Sequence, residues 1–406
     1  MTSQSPSDAS NADPRPILSI APGRSKRLRQ GHPWLFSNEV TMTAETKALP
    51  AGSLVTLQDA GGESLGVATF SPHSLIAARL LDERTDATID QSWVGARLHR
   101  ALALRAALFS TPHGRLIHGE ADQFPGLIVD RLGDVLAVQA NTAGMDRLTE
   151  VILDALEARL SPRAIVLVNN SPVRVLEGLP QEVRLARGAL DGPVPVEENG
   201  FTYRADLLDG QKTGWFFDQR PNRAFVADLA KGRSVLDAYT YAGGFGLLCL
   251  ARGATSATLL DRSEHGLDLA RMAAKAAGLA DHLTTEKAEA FSALERMGKE
   301  KRTFGVVICD PPAFAKSRKD VAGAAKGYRK VARLAAPLVE PGGFLFLASC
   351  SHHMPTDRFQ DESAKGIAQA GRTGRIIRSG GAGPDHPIHP ALPESAYLKT
   401  LTWVLD

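Results

Sequence analysis

Cys350 and Asp310 each follow an apolar run that is typical of a buried strand, and their side chains could do covalent chemistry. Cys350 follows the run from Phe344 to Ser349, and Asp310 follows the run from Val306 to Cys309. Because parallel strands present their carboxyl ends at one edge of a sheet, we expect the thiol and the carboxylate to meet there. The pair is a candidate nucleophile and acid–base partner.

The overall composition limits the class of protein. Cys249 and Cys309 lie within apolar runs, where most cysteines are small buried hydrophobes. Three cysteines cannot form a disulfide framework, so the sequence favours a reducing, cytoplasmic location. No apolar stretch is long enough to cross a membrane, the first residues are not typical of a signal peptide, and no metal-ligand motif is evident. The net charge of +2 is too small to indicate a nucleic-acid partner by itself.

Composition divides the 406 residues into a tail and three regions. Residues 1–15 are polar and Ser-rich, which predicts a disordered tail. Short apolar runs between turn residues predict a small β-barrel over residues 16–84, with a hairpin loop from Asp59 to Glu63. Helical and strand-like runs predict a central α+β domain over residues 85–198. Residues 199–406 alternate short apolar strands with helices, which predicts an α/β fold with a doubly wound parallel sheet.

The pattern also predicts individual elements. Helices are expected at residues 91–109, 145–160, 247–252, 266–277, 290–299 and 322–338. Strands of the parallel sheet are expected at residues 234–237, 256–261, 305–310 and 343–348. The last apolar run, residues 396–405, predicts a strand at or near the sheet edge.

A glycine turn after the first of these strands predicts a nucleoside site. Asp237 ends the strand, Gly243 and Gly244 precede a helix, and Asp261 ends the next strand about twenty residues later. The spacing does not match G-x-G-x-x-G, so a dinucleotide fits poorly. Asp237 favours a cationic ligand and Asp261 can accept both ribose hydroxyls. Together they favour S-adenosylmethionine, with NAD as the lesser alternative.

The segment from Gly210 to Arg223 is dense in aromatic and hydrogen-bonding side chains just before the first strand. It is open to two interpretations. Asp218 could cap the start of a helix, since carboxylates favour the first turn. The segment could instead form a wall of the ligand site, which the number of polar groups favours.

Four motifs together resemble the RlmI-type bacterial ribosomal RNA methyltransferases. They are Lys212 to Arg220, Asp237 to Phe245, Asp310 to Phe314, and Ser349-Cys350-Ser351. The resemblance implies an S-adenosylmethionine-dependent enzyme that forms 5-methylcytosine in large-subunit ribosomal RNA. It covers nearly the whole chain after the tail.

Other segments extend the resemblance to the rest of the chain. Gly31 to Ser37 is similar to the entry of the family's PUA domain, and this resemblance implies that residues 16–84 form a PUA-like RNA-binding barrel. His118 to Leu127 resembles its central domain, and Asp385 to Pro387 and Glu394 to Lys399 resemble its C-terminal end.

The resemblance also implies a set of cofactor-binding residues. Asp218, Gln219 and Arg223 would frame the methionine part, with Tyr241 and Gly243 beneath it. Glu289 stands where relatives usually carry aspartate, and it would reach the adenine amino group. With the strand-end carboxylates, the full set is Asp218, Gln219, Arg223, Asp237, Tyr241, Gly243, Asp261, Glu289 and Asp310.

The predicted chemistry is covalent catalysis, because C5 of cytosine is a poor nucleophile by itself. Cys350 would add to C6 while Asp310 faces N3, and the activated C5 would then take the methyl group. The thiol requires a lowered pKa, to which His352 or His353 could contribute. No base for the C5 proton is identified.

Two alternatives remain open from the sequence. Asp310-Pro311-Pro312-Ala313-Phe314 is also similar to an amino-methyltransferase motif, in which Phe314 would stack on the base and the nitrogen of a guanine or an exocyclic amine would be methylated. The chain could otherwise be a non-catalytic RNA-binding protein with a methyltransferase fold.

Basic residues recur in two places, and a charge run of this kind is more often a solvated face than a binding site. Their proximity to the predicted site favours RNA binding, since phosphate contacts position such enzymes. The predicted RNA-binding residues are Arg24, Lys26, Arg27, Lys316, Arg318, Lys319, Lys326, Lys330 and Arg333. The target base must be unstacked, so naked or partly assembled ribosomal RNA is the expected partner. A homodimer is compatible with the sequence.

Overall fold

The computed structural model describes residues 15–315 and 317–406. The predicted tail, apart from Arg15, and Lys316 lie outside these residues. The described chain forms four sheets, of five, five, two and seven strands, in the order of the sequence. None of its described helices is long and apolar enough to cross a membrane.

The first sheet is the predicted small barrel. Its elements are β1 (Ile17–Ser19), α1 (Lys26–Arg29), β2 (Trp34–Phe36), α2 (Ala44–Lys47), β3 (Ser53–Gln58), β4 (Ser64–Phe70) and β5 (Ile76–Asp82). The strand order is β1-β3-β4-β5-β2, and Ile20 beyond β1 bridges Val40 beyond β2, so the two sheet edges approach each other. The hairpin loop between Gln58 and Ser64 is confirmed. The basic residues Arg24, Lys26 and Arg27 lie on and beside α1 inside this domain, between β1 and β2.

The second sheet belongs to the central α+β region. Its elements are α3 (Gln91–Leu108), β6 (His113–His118), β7 (Leu127–Leu132), β8 (Val135–Ala140), α4 (Ala143–Arg147), α5 (Thr149–Leu160), β9 (Ala164–Asn169), α6 (Val173–Leu176) and β10 (Glu182–Gly188). The predicted helix over residues 145–160 is two helices, because the backbone leaves the helical conformation at Leu148.

A two-stranded hairpin follows, formed by β11 (Val194–Glu198) and β12 (Phe201–Ala205). It straddles the predicted domain boundary between residues 198 and 199. Val196 and Tyr203 pack into a core that holds residues of both the central sheet and the seven-stranded sheet, so the hairpin is tied to both. The sequence analysis missed the hairpin, since its two strands are short.

The third region carries the predicted doubly wound sheet. Its elements are α7 (Arg220–Leu229), β13 (Ser234–Ala238), α8 (Gly244–Ala251), β14 (Ser256–Asp261), α9 (Glu264–Ala276), β15 (Leu283–Lys287), α10 (Ala290–Lys299), β16 (Phe304–Cys309), α11 (Val321–Ala335), β17 (Val339–Ser349), α12 (Thr356–Gln369), β18 (Gly374–Gly380) and β19 (Lys399–Leu405). The strand order is β15-β14-β13-β16-β17-β19-β18.

The first five strands of this order are parallel, and β19 runs antiparallel to both β17 and β18. Successive residues of β13 enter different cores, with Val235 in one and Leu236 in the other, so the strand is buried on both faces. The predicted last strand is confirmed next to the edge. The edge strand β18 was missed, because its half-buried, Arg-containing pattern does not resemble a buried strand.

The strand order reverses between β13 and β16, and ligands bind at such a switch point in open α/β sheets. The carboxyl ends of β13, β14, β16 and β17 therefore position the strand-end residues Asp237, Asp261, Asp310 and Cys350 at one edge.

Candidate active site

A cavity of about 580 Å³ opens at the carboxyl ends of these strands. Most of the residues predicted from the sequence line it. They are Asp218, Gln219, Arg223, Asp237, Tyr241, Asp261, Glu289, Asp310 and Cys350. Gly243 does not line the cavity. Its φ of +81° forms the turn into α8, and a side chain there would collide with Leu247.

Asp237 holds the turn between β13 and α8. Its Oδ2 accepts hydrogen bonds from the Thr240 hydroxyl at 2.5 Å and from the Gly246 amide at 2.9 Å. The side chain is almost fully buried, and this burial raises the pKa of Asp237 to about 6. The residue predicted to attract a cationic ligand thus also fixes the shape of the glycine turn.

Asp261 lies opposite this turn, with one backbone donor on each carboxylate oxygen. The Tyr241 amide donates to Oδ2 at 2.9 Å and the Ser263 amide donates to Oδ1 at 2.8 Å. Each oxygen retains acceptor capacity, as two ribose hydroxyls would require. The arrangement fits the predicted nucleoside.

Glu289 is exposed at the rim of the cavity and caps α10. Its Oε2 accepts hydrogen bonds from the Ser292 amide at 2.8 Å and the Ser292 hydroxyl at 3.1 Å. Partial burial by itself would raise the pKa of Glu289, but these hydrogen bonds lower it. One oxygen is therefore engaged by the helix end in addition to any ligand contact.

Arg223 is buried behind the cavity, where its charge is neutralised. Its guanidinium donates to Oε1 of Glu198 at 2.8 Å and lies 4.6 Å from the ring centre of Trp215. Glu198 was missed by the sequence analysis, because it stands in the two-stranded hairpin far along the chain. Arg223 therefore supports the wall rather than presenting a free cation to a ligand.

Asp218 and Gln219 form a wall of the cavity in a single helical turn before α7. The alternative interpretation as a capped helix start is confirmed only in part, since Asp218 lies in the first turn of this short helix but no side chain caps it or the start of α7. Oδ2 of Asp218 accepts a hydrogen bond of 2.6 Å from the Tyr397 hydroxyl, whereas its buried Oδ1 has no partner among the described residues. Burial opposes the ionisation of Asp218, but His386, Lys212 and the Tyr397 bond lower its pKa.

Asp310 and Cys350 meet in this cavity, as predicted. Oδ2 of Asp310 accepts a hydrogen bond of 2.8 Å from Gln219, and the Cys350 thiol lies 3.9 Å from the carbonyl oxygen of Pro311. Burial and the neighbouring Asp218 raise the pKa of Asp310 to about 7. Burial and Asp310 raise the pKa of Cys350 to about 11.

The expectation that a histidine lowers the thiol pKa is wrong for this structure. Burial lowers the pKa of His352, so the ring is neutral and supplies no positive charge. Its Nδ1 lies 3.1 Å from the carbonyl oxygen of Glu394, and its ring stacks on Tyr397. His353 is exposed and does not line the cavity. A cation that opposes the raised pKa of Cys350 is Lys212.

The predicted RNA-binding residues fall into two groups. Arg27 is paired with Glu39 at 3.2 Å, whereas Arg24 and Lys26 are exposed and form no ion pair with any described residue. On α11, Lys326, Lys330 and Arg333 are exposed, and we call these three residues the basic stripe. Arg318 and Lys319 are exposed just before α11.

The basic stripe reaches the mouth of the cavity. The Lys330 ammonium lies 4.4 Å from the ring centre of Phe291, which itself lines the cavity. Lys330 thus places the stripe beside the cavity.

Two family models match the chain. Residues 18–83 match a PUA-like domain, and residues 187–386 match an S-adenosylmethionine-dependent methyltransferase. The ribosomal RNA large subunit methyltransferase I of Shewanella amazonensis is 36% identical over 390 residues, which cover 95% of this chain and 98% of that protein. The chain belongs to the ribosomal RNA large subunit methyltransferase I family.

Further comparisons agree with this family. The protein of the same name from Shewanella frigidimarina is also 36% identical, over 95% of this chain and 98% of its own. Among solved structures, a putative methyltransferase from Streptococcus mutans matches with a TM-score of 0.80 and 20% identity over 96% of this chain and 100% of its own. A structure titled as a putative methyltransferase complexed with SAH matches equally well, over 96% of this chain and 100% of its own. As a member of the family, the chain is an S-adenosylmethionine-dependent methyltransferase with a PUA-like N-terminal domain.

Proposed function

We propose that this protein methylates C5 of a cytosine in large-subunit ribosomal RNA, using Cys350 as a covalent nucleophile. The RNA class follows from the names of its relatives. The observation that carries the chemistry is the meeting of a thiol and a carboxyl group of raised pKa in the cofactor cavity. The cytoplasmic location, the homodimer and the assembly state of the RNA stay predictions.

The cavity fits S-adenosylmethionine on two independent observations. The buried, unpartnered Oδ1 of Asp218 is available to a cationic amino group, and the two oxygens of Asp261 retain acceptor capacity for ribose hydroxyls. Asp218 would bind the amino group of the methionine part and Asp261 would bind the ribose, with Glu289 at the rim near the adenine. When bound, the cofactor supplies an electrophilic methyl group on a positively charged sulfur.

The residues of this chain would move two protons. Sulfur of Cys350 adds to C6 of the cytosine while protonated Asp310 donates its proton to N3, and the thiol proton passes to the Asp310 carboxylate. The pKa of about 7 makes Asp310 an effective acid near neutral pH. C5 then takes the methyl group. The C5 proton leaves to solvent water, its electron pair restores the C5–C6 double bond and expels the Cys350 sulfur, and the expelled thiolate takes up the proton from N3. A positive charge near the thiol, as on the sulfur of the bound cofactor, would favour the thiolate form of Cys350.

The contacts around Pro311 favour this chemistry over methylation of an exocyclic amine. The amine reaction needs the proline carbonyl as an acceptor, and the Cys350 thiol already faces that oxygen at 3.9 Å. It also needs Phe314 to stack on the base. The Phe314 ring instead packs against Tyr328 at 4.8 Å and Phe291 at 6.2 Å.

A covalent trap tests the proposal. Large-subunit ribosomal RNA transcribed with 5-fluorocytidine should form a denaturant-resistant complex with the native enzyme and S-adenosylmethionine, because fluorine cannot leave as a proton does. The complex should be absent in Cys350→Ala and retained in Cys249→Ala, whose thiol is buried inside α8. Methyl transfer by Cys350→Ala at the native rate would overturn the covalent mechanism.

A further inference from the structure

A second cavity, of about 750 Å³, lies where the three regions of the chain meet. Trp34 reaches it from β2 of the barrel, Asn141 and Asn170 from loops of the central sheet, and Lys212 and Tyr397 from the catalytic region. The covalent chemistry of the active site uses none of the barrel or central residues, so this cavity is unexplained by it.

The second cavity adjoins the active site across a shared wall. The residues that line both cavities are Gln211, Lys212, Phe216, Asp218, His352 and Tyr397. A strand of RNA with one base in the active site would therefore place a neighbouring nucleotide in the second cavity.

Trp34 provides a fixed aromatic surface in this cavity. Its indole nitrogen donates a hydrogen bond of 2.9 Å to Oε1 of Glu120, and its ring makes an edge contact with His32 at 5.9 Å. The side chain is half-buried, so part of it stays open to the cavity. A ring held in this way is a platform on which an unpaired base stacks without loss of side-chain freedom.

Asn141 and Asn170 provide the groups that can read a base edge. Within residues 15–315 and 317–406, neither side-chain amide makes a hydrogen bond, and Oδ1 of Asn141 is buried without a partner. Buried polar groups are almost always satisfied, so an unmet amide beside a cavity is open to a partner that enters the cavity, a water molecule or a ligand. An amide offers both donors and an acceptor, as a nucleobase edge requires.

The charged groups of the second cavity disfavour a phosphate. Glu120 and Asp218 are carboxylates that accept hydrogen bonds from the neutral donors Trp34 and Tyr397, and the guanidinium of Arg115 is already paired with Asp130 at 2.5 Å. Burial and the nearby Arg115 keep His118 neutral by lowering its pKa. A neutral base therefore fits the interior better than a phosphate does. Lys212, on the shared wall, is the unpaired cation for the phosphate between the two nucleotides.

We propose that the second cavity binds a nucleotide adjacent to the target in single-stranded RNA, with Trp34 stacked on its base and Asn141 and Asn170 hydrogen-bonded to its edge. The proposal rests on RNA being the substrate, and it makes the barrel and the central domain part of the recognition of sequence.

Binding of a fluorescein-labelled single-stranded RNA of about ten nucleotides tests this site. The RNA contains cytidine, and the full-length protein is studied with S-adenosylhomocysteine bound. Trp34→Ala should weaken RNA binding by about 5- to 150-fold, the range for loss of one stacked base, and Trp34→Phe should retain most of the affinity. The double variant Asn141→Ala/Asn170→Ala should also bind RNA more weakly. Gln360→Ala, an exposed amide on α12 that lines neither cavity, is the matched control.

An abasic scan separates base recognition from other contacts. At one position of the RNA, removal of the base should abolish the difference in affinity between the native protein and Trp34→Ala. Affinity for S-adenosylhomocysteine should stay unchanged in all variants, which shows that the catalytic region is folded. Native RNA affinity in both Trp34→Ala and the double variant would overturn the site, even if methylation at C5 proceeds. Weakened binding in these variants without any C5 methylation would uphold the site and overturn the proposed chemistry.

Discussion

The hydroxyl of Tyr397 donates a 2.6 Å hydrogen bond to Oδ2 of Asp218, from a position 179 residues further along the chain. The contact joins the segment before β19 to the segment before α7, and it lies on the wall shared by the two cavities. It leaves Oδ1 of Asp218 as the oxygen available to a ligand.

Tyr397→Phe should lower the free energy of unfolding by about 1–3 kcal/mol at neutral pH, because it leaves a buried carboxylate oxygen unpaired. The folded-state pKa of Asp218 is lowered, so its stabilising contribution exists above the unfolded pKa and is lost as pH falls through the folded pKa. The difference between variant and native protein should therefore shrink in acid, as measured by urea unfolding at several pH values.

Tyr328→Phe is the matched control for that experiment. Its hydroxyl lies 2.8 Å from the Ser351 hydroxyl, a neutral partner, so its effect should not depend on acid pH. If Tyr397→Phe lowers the free energy of unfolding equally at every pH, the hydrogen bond does not stabilise the ionised form of Asp218.

The ionisation of Asp310 should control both stability and turnover. Burial and Asp218 raise its pKa from 3.8 to about 7, so the folded state binds the proton more tightly than the unfolded chain does. Stability should fall as pH rises from about 4 to about 7, and turnover that needs the protonated acid should fall above about pH 7.

Asp310→Asn should remove this loss of stability, because an amide does not titrate. Unfolding of the two proteins should therefore diverge between about pH 4 and pH 7, with the variant more stable at the upper end. Asp361→Asn, at an exposed position on α12, is the control. Parallel stability profiles for native protein and Asp310→Asn would contradict the raised pKa.

The sequence predicted the elements and residues that local patterns specify. Strand ends gave Asp237, Asp261, Asp310 and Cys350, since apolar runs followed by polar residues mark the edge of a buried parallel sheet. The partners of these residues are set by the packing of distant segments. The bonds of Asp218 to Tyr397 and of Arg223 to Glu198 have no local signal.

The electrostatics of the site could not be predicted for the same reason. Two histidines close to Cys350 in the sequence suggest a positive charge beside the thiol. In the fold, burial lowers the pKa of His352 and so disfavours that charge. Lys212 is a cation that does act on the thiol, and it is distant in sequence, with a left-handed backbone at φ of +49°. Burial and three-dimensional charge placement, rather than neighbours along the chain, decide the pKa of Cys350.

Lys212→Met should make the Cys350 thiol less reactive. The variant keeps an apolar stem beside Phe216, where the Lys212 ammonium lies 4.5 Å from the ring centre, and removes the charge that opposes the raised pKa of Cys350. Alkylation of Cys350 by iodoacetamide at about pH 9 should slow several-fold, because a nearby positive charge favours the thiolate. Peptide mass spectrometry separates this residue from the buried Cys249 and Cys309.

Lys365→Met removes an exposed lysine on α12, outside the cavity, and serves as the control for that measurement. Equal alkylation rates in the native protein and in Lys212→Met would mean that Lys212 does not act on the thiol.

The basic stripe should contribute to RNA affinity through phosphate contacts. Replacing Lys326, Lys330 and Arg333 with glutamine removes three exposed cations beside the cavity mouth. RNA binding should weaken, and the slope of log affinity against log salt should become shallower by about 2, since each phosphate contact on a single strand contributes about 0.7. Affinity for S-adenosylhomocysteine should stay unchanged.

The triple variant Lys275→Gln/Lys299→Gln/Lys365→Gln makes the same change of net charge at exposed positions on α9, α10 and α12. Equal salt slopes in the two triple variants would show that the stripe acts only through the total charge of the protein and does not contact RNA phosphates.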